Sequence, residues 1–256
     1  FGVAEDHDSN PIKIGLGKMK ARGARVVSVN PVRTGYSAIA DEWIGVRPGT
    51  DGALIGALIH ELLRTDRIDL EFLAQTTDAS WLVTQNPGQA DHGQVVRDDE
   101  GQPLSWDGIN NKLIPARTVE AKLALIGERD LPGDQKAKSV FQLLAERYLE
   151  PEHSPEAVSK LTDVPAERIR HLAQEIASAA FDDPMEIQQP WTDWRGVRHE
   201  SMKGRPVSIH AMRGISAHSN GFDTCRLLHV LQMLLGAVDA PGSFRYKAPF
   251  PKPIPP

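Results

Sequence analysis

The stretch Val26–Leu54, VVSVNPVRTGYSAIADEWIGVRPGTDGAL, decides the fold. A β-branched run reads as a buried strand and stops at Asn30-Pro31. A second short strand is expected at Trp43–Val46. Arg47-Pro48-Gly49-Thr50-Asp51 then leads into a helix over 51 to 65, on which Leu54, Ile55, Leu58, Ile59, Leu62 and Leu63 form one apolar face. Thr50 or Asp51 can cap that helix. Strand, polar turn, strand and helix in this order are α/β punctuation.

The same alternation extends outward. PIKIGLGKMKARG, residues 11 to 23, reads as a helix with Pro11 in its first turn and Gly23 closing it. Residues 84 to 138 are rich in Gly, Pro, Asp and Asn, with a hairpin at QVVRDDEGQPLSW, and read as an excursion inserted into the main unit. Helical pattern returns at KSVFQLLAERYL, SPEAVSKL and DVPAERIRHLAQEIASA, the last with Asp163 as cap candidate. PMEIQQP and, more firmly, PVSIHAMRG read as strands, and a final helix is expected from Phe222 to Val238. The expected architecture is a Rossmann-like α/β domain over residues 1–245, with a mostly parallel sheet and helices on both faces. A Pro-rich tail or linker follows over 246–256. The opening Phe1 and the closing prolines give the look of part of a longer polypeptide.

Composition narrows the function classes. A net charge of −5 leaves no global basic field for nucleic acid, so an anionic ligand needs local donors. The single cysteine, Cys225, cannot build a zinc or iron–sulfur site alone and sits in a helical apolar pattern. No apolar run reaches the ~18 residues of a membrane span.

In open α/β sheets, ligands bind beyond the carboxyl ends of the strands. Four polar segments are expected to gather there. Ser9 and Asn10, ahead of the first helix, can hold an anion with the helix amides. Asn30 stands where a strand-end side chain can bond a ribose hydroxyl, and Arg33 can pair with phosphate. Asp51 at a helix start can accept both the N1–H and N2–H bonds of guanine, a pair no other standard base offers. The loop Gly214–Gly221, GISAHSNG, offers close backbone approach at its glycines and donors at His218 and Asn220. Each segment taken alone is equally a plain cap or turn. HELLRTD lacks the second histidine of a zinc helix, and the segment WTDWRGVRH reads as a partner surface or packed loop.

Taken in order, four segments resemble the molybdopterin oxidoreductases of the DMSO-reductase family. GVAEDHDSNP is similar to the family's Gly-x-Asn-Pro-Ala-x-Ser/Thr-His-Pro, with Ala4 and Glu5 in place of Asn-Pro and Asn10 in place of His. VVSVNPVRTGYSAIADEWIGVRPGTDGAL resembles its Asp-Pro-Arg…Thr…Ala-Asp…Pro-Gly-Thr-Asp-x-Ala-Leu, with Asn30 for Asp and the arginine one place late at Arg33. DVPAERIRHLAQEIA and MRGISAHSNGFDTCRLLHVLQMLLGAVDAPG resemble its later helix and its closing His-x-x-Gly…Pro-Gly region.

The resemblance implies a bis-molybdopterin guanine dinucleotide cofactor with Mo or W. Ser9, Asn10, Asn30, Arg33, Thr34, Gly49 and Asp51 would serve the phosphate, ribose and base of one arm. Gly214, His218, Asn220 and Gly221 would lie nearer the pterin. No catalytic residue or metal ligand is expected within this stretch. The metal-ligating residue and a 4Fe–4S motif belong to an N-terminal part outside it. The family also implies two partners, a membrane anchor and an iron–sulfur electron-transfer subunit, and no nucleic acid. On the look of the 84–138 insertion and the RGISAHSNGF loop, it implies a sulfite, thiosulfate or polysulfide substrate. The alternative is a non-catalytic scaffold or electron-transfer subunit of the same fold.

Overall fold

The computed structural model describes residues 1–2, 12–33, 35–182, 185–193 and 195–243. Ser9, Asn10, Thr34 and the 246–256 tail lie outside the described residues.

Helix α1 (Ile12–Ala21) ends as its sequence demands. Gly23 takes φ +94°, and the N–H groups of Gly23 and Ala24 reach back to the carbonyls of Lys20 and Met19, closing a Schellman motif. Strand β1 (Val27–Val29) then pairs in parallel with β2 (Glu42–Ile44), with a short helix α2 (Gly35–Ile39) between them. Asp41 is a structural turn residue. Its carboxylate accepts from the Val26 amide at 2.8 Å and pairs with Lys20 at 3.0 Å.

Helix α3 (Asp51–Arg64) is the centre of the core. Leu54, Ile55, Ala57, Leu58, Ile59 and Leu62 are at most 1% exposed, so the burial wraps around the helix rather than following one stripe. Even His60 is buried, its Nδ1 2.8 Å from the Tyr148 carbonyl. Around α3 pack α5 (Val140–Tyr148), α6 (Pro155–Thr162), α7 (Ala166–Phe181) and α8 (Gly221–Leu234), while α4 (Leu70–Thr76) rests on α8.

Between α4 and α5 lie β3 (Leu82–Thr84), β4 (Leu104–Asp107), β5 (Lys112–Pro115), β6 (Arg129–Leu131) and β7 (Gln135–Ser139). They pair antiparallel as β3-β7-β6 and β4-β5, and Leu82, Leu131 and Ala137 form a small cluster of their own. After α7, β8 (Met185–Ile187) pairs with β11 (Met202–Gly204), and β9 (Trp191–Thr192) with β10 (Arg198–His199), both antiparallel.

The expected mostly parallel sheet is therefore corrected. The protein is α/β, but its sheets are small, and β1–β2 is the one parallel pair among the described strands. PVSIHAMRG has the expected alternation, with Val207, Ile209 and Ala211 packed on the core, yet it joins no ladder. It faces β1 across an open slot instead of lying against it. Asp163 is corrected too. It does not cap α7; it ends α6 at φ +63° and pairs with Arg47.

Candidate functional site

The carboxyl ends of β1 and β2 share one edge because the strands run parallel. Asn30 follows β1 directly. Its N–H donates to the Ile44 carbonyl at 3.1 Å, and its own carbonyl accepts from Trp43 Nε1 at 3.0 Å. The backbone is thereby fixed on both sides, and the half-buried side chain stays at the edge. Arg33 is exposed on the turn that follows.

After β2, Arg47-Pro48-Gly49-Thr50 folds as a tight turn. The Thr50 amide donates to the Arg47 carbonyl at 3.2 Å, and Gly49 takes φ +81°, as a type II turn with proline at its second position requires. Two bonds from Arg47 to Asp163, at 2.7 and 3.0 Å, and one from its amide to the Thr162 carbonyl hold this turn against the end of α6. Both side chains are exposed, so this pair orients more than it stabilises.

The turn delivers Asp51 to the first position of α3. Thr50 makes no side-chain cap; its hydroxyl donates to the Arg47 carbonyl at 2.8 Å. Asp51 is 5% exposed, and its Oδ1 has no hydrogen-bond partner. Burial pushes its carboxyl above the usual range, against the opposing pull of its own N–H and of His218. A buried acceptor left open costs stability, so a plain capping role does not account for it.

The loop 214–221 closes over this edge. Asn220 Nδ2 donates to the Gly49 carbonyl at 3.2 Å. The His218 ring lies over Gly49, where a Cβ would stand 3.5 Å from Nδ1. A Cβ on Gly214 would sit 2.2 Å from the Gly2 carbonyl oxygen, and Gly2 in turn donates to Val29 at the end of β1. The first turns of α3 and α8 touch through Gly52, whose Cβ would meet Thr224 Oγ1 at 2.8 Å. Gly49, Asp51, Gly214, His218, Asn220 and Gly221 are thus gathered about the ends of β1 and β2, with Asn30 on the same edge and Arg33 on its exposed rim.

Close approach here makes a prediction. A Cβ on Gly221 would lie 2.2 Å from the Ser216 carbonyl oxygen, a backbone atom that cannot rotate away. Gly221→Ala is expected to cost about 1–3 kcal/mol by overpacking. Denaturant unfolding measures it, and an unchanged midpoint would show that the loop yields freely.

Two features escaped the sequence reading. Gly52 and Gly56, four apart on one face of α3, let it approach Thr224 at the first and His153 and Tyr148 at the second; the small-residue spacing was the available signal. His210 has a buried Nε2 without a partner, and burial holds its imidazole below the usual range. Its place opposite Val207 and Ile209 in an alternating segment was the signal for it.

At this edge hydrogen-bond donors and an acceptor meet. Two helix N-termini supply amide donors and positive field, and one buried carboxylate supplies an acceptor. Among the described residues no cluster of three or more His, Cys, Asp or Glu could hold a metal. No described helix is long and apolar enough to cross a membrane.

No protein-family model matches the chain. It is 47% identical over 265 residues to a sulfite dehydrogenase subunit of Allochromatium vinosum, covering all of this chain and 27% of that protein. It is 24% identical to the alpha subunit of the perchlorate reductase of Dechloromonas aromatica, covering 64% of this chain and 22% of that one. The dimethyl sulfoxide reductase DmsA of Escherichia coli is 26% identical over 86% of this chain. Among solved structures, the acetylene hydratase from Pelobacter acetylenicus superposes with a TM-score of 0.50 at 17% identity, over 90% of this chain and 20% of that one. The chain spans about a quarter of the length of the first two relatives. The 47% identity to the sulfite dehydrogenase subunit over the whole chain, with the likeness to the two reductases over 64% and 86% of it, shows that the chain belongs to the molybdopterin oxidoreductase (DMSO-reductase) family.

Proposed function

We propose that this chain is the part of a bis-molybdopterin guanine dinucleotide oxidoreductase, with Mo or W, that holds the guanosine end of one cofactor arm. The observation that carries the reading is Asp51, a buried carboxylate with an open Oδ1 at a helix mouth. Such a group suits the N1–H and N2–H donors of guanine. Asn30 and Thr34 would serve the ribose, and Ser9, Asn10 and Arg33 the phosphates. Gly49 lets the turn approach the base, and Gly214, His218, Asn220 and Gly221 face the pterin side. The binding unit runs over 1–245 with 84–138 inserted, and 246–256 links onward. When bound, the cofactor supplies the redox chemistry; these residues bind and orient it.

The 47% identity to a sulfite dehydrogenase subunit supports a small sulfur oxyanion as the parent enzyme's substrate, with sulfite first. That relative is named as one subunit of its enzyme, which supports partner chains here. The candidates are a membrane anchor and an iron–sulfur electron-transfer subunit, with a 4Fe–4S cluster in the N-terminal part of the full-length polypeptide. The test is competition binding of guanosine and adenosine nucleotides to the cofactor-free full-length polypeptide. Guanosine is expected to win, and Asp51→Ala to remove its advantage. Equal affinity for both in the unaltered protein would overturn the assignment.

A further inference from the structure

At the end of α8 remote from the β1–β2 edge, the inserted strands meet the main body along a groove. Its two compartments, about 650 and 290 Å³, join at Trp81 and Arg117, which line both. Helix α8 sets the separation from the edge. Asn220 stands at its start, Asp239 lies beyond its end, and its 14 residues span about 20 Å. The groove walls are fixed by hydrogen bonds. The Trp81 amide donates to the Asp78 carbonyl at 3.0 Å, its carbonyl accepts from the Val140 amide at 2.9 Å, and the residue bridges to Ser105. Arg117 stands in a turn closed by the Thr118 amide on the Pro115 carbonyl at 3.1 Å. Arg97 Nη1 donates to the Gly101 carbonyl at 2.7 Å.

The groove is polarised along its length. Asp78, after α4, and Asp239, after α8, line the larger compartment. Arg97 lines the smaller one, whose lining carries no carboxylate, and Arg117 stands between the two. Neither arginine pairs with a carboxylate among the described residues. Trp81 adds a half-buried aromatic side chain at the junction, with Pro103 and Pro115 beside it. Asp78, Arg97, Arg117 and Asp239 are all exposed, so the groove is open to a passing chain. A compact ligand would fill one compartment and leave the charges of the other unmet. A polyanion would meet Asp78 and Asp239. An extended peptide sets successive side chains in different compartments and can satisfy both ends. Trp and Arg are also the residues that most often carry binding energy between proteins, and a guanidinium takes a carboxylate in two parallel bonds.

We infer that this groove docks an extended segment of a partner chain. That segment carries a lysine or arginine for Asp78 and Asp239, a bulky apolar residue or proline for Trp81, and a carboxylate for Arg97 and Arg117. Its charges mirror those of the groove, so complementarity selects the partner and fixes the direction in which the segment lies. Because the walls are held in place beforehand, little ordering is needed on this side. The inference rests on the partner chains proposed above and is independent of what the β1–β2 edge binds.

The experiment uses the full-length protein, purified with whatever chains accompany it and carrying p-benzoylphenylalanine in place of Gln102, an exposed residue of the smaller compartment. After irradiation, mass spectrometry is expected to place adducts on a second kind of chain, within a few residues of an Asp or Glu. Purification without any other chain would overturn the partner reading and this inference with it. A second chain that co-purifies yet gives no adduct, or adducts on this polypeptide or another copy of it, would overturn this inference alone. Charge reversal is the second measurement, made on association with the co-purifying chain. Arg117→Glu and Asp78→Lys are each expected to weaken association about tenfold at low salt and less at high salt. Both side chains are exposed, so the unfolding midpoint should not move with either. Weakening by only one of the two would mean an occupant of single charge, and weakening by neither an empty groove; each would sink the inference.

Discussion

Asp69→Ala is expected to lower stability by about 3–5 kcal/mol, the largest effect of any single exchange outside the apolar core. Three elements meet on this carboxylate. Oδ1 accepts from the Phe72 amide at 3.0 Å and caps α4. Oδ2 accepts from Arg205, which is 6% exposed and lies over the Phe181 ring at 4.9 Å. The Asp69 amide itself donates to the Leu234 carbonyl at the end of α8. Gly236, at φ +63°, comes so close that a Cβ there would stand 2.6 Å from Oδ2. Truncation loses the cap, worth about 1 kcal/mol, and strands a buried guanidinium, which costs more. At a few degrees per kcal/mol for a chain of this size, the midpoint of thermal unfolding should fall by roughly 10 °C. Adding Arg205→Met should restore much of the loss, because the stranded charge is then gone. A drop below about 1 kcal/mol in the single variant would show that Arg205 finds water instead.

The contrast between what could and could not be foreseen follows range in sequence. The α3 helix, the Arg47–Thr50 turn and the closure at Gly23 were legible because local pattern, proline and glycine fix them within a few residues. The proposed site rests on the same features, since they bring the end of β1 and the start of α3 to one edge. The parallel sheet was over-read because alternation in 206–214 reports which side chains are buried, not which backbone lies alongside. Short α2 and α4 went unnoticed because five and seven residues are too few for a repeating apolar stripe to show. Asp163 was misassigned because an aspartate between two helices serves either; its positive φ and the distant Arg47 settled the matter. Thr50 likewise turned away from the cap toward Arg47.

Asp51→Asn is expected to move stability and recognition in opposite directions. In the ligand-free protein the Asp51 carboxyl is buried with Oδ1 open, and burial raises its pKa. A raised carboxyl pKa means that the folded state holds its proton more tightly than the unfolded chain, so ionised Asp51 destabilises the fold above that folded pKa. Removing the charge while keeping the shape should therefore raise stability near neutral pH by about 1 kcal/mol, a few degrees in the unfolding midpoint. The gain should shrink as pH falls through the folded pKa, because the unaltered protein then becomes neutral at this position too. Recognition runs the other way. An amide offers one acceptor and two donors where guanine needs two acceptors, so the preference for guanosine over adenosine nucleotides should drop by about ten- to hundred-fold, the worth of one bidentate base contact. Asp51→Ala should lose the same preference and also leave a cavity, so it separates charge from shape. A variant that gains stability and keeps the preference would mean that the carboxylate does not read the base. A variant that loses both would mean that Asp51 is an ordinary part of the fold whose open oxygen has a structural partner in solution.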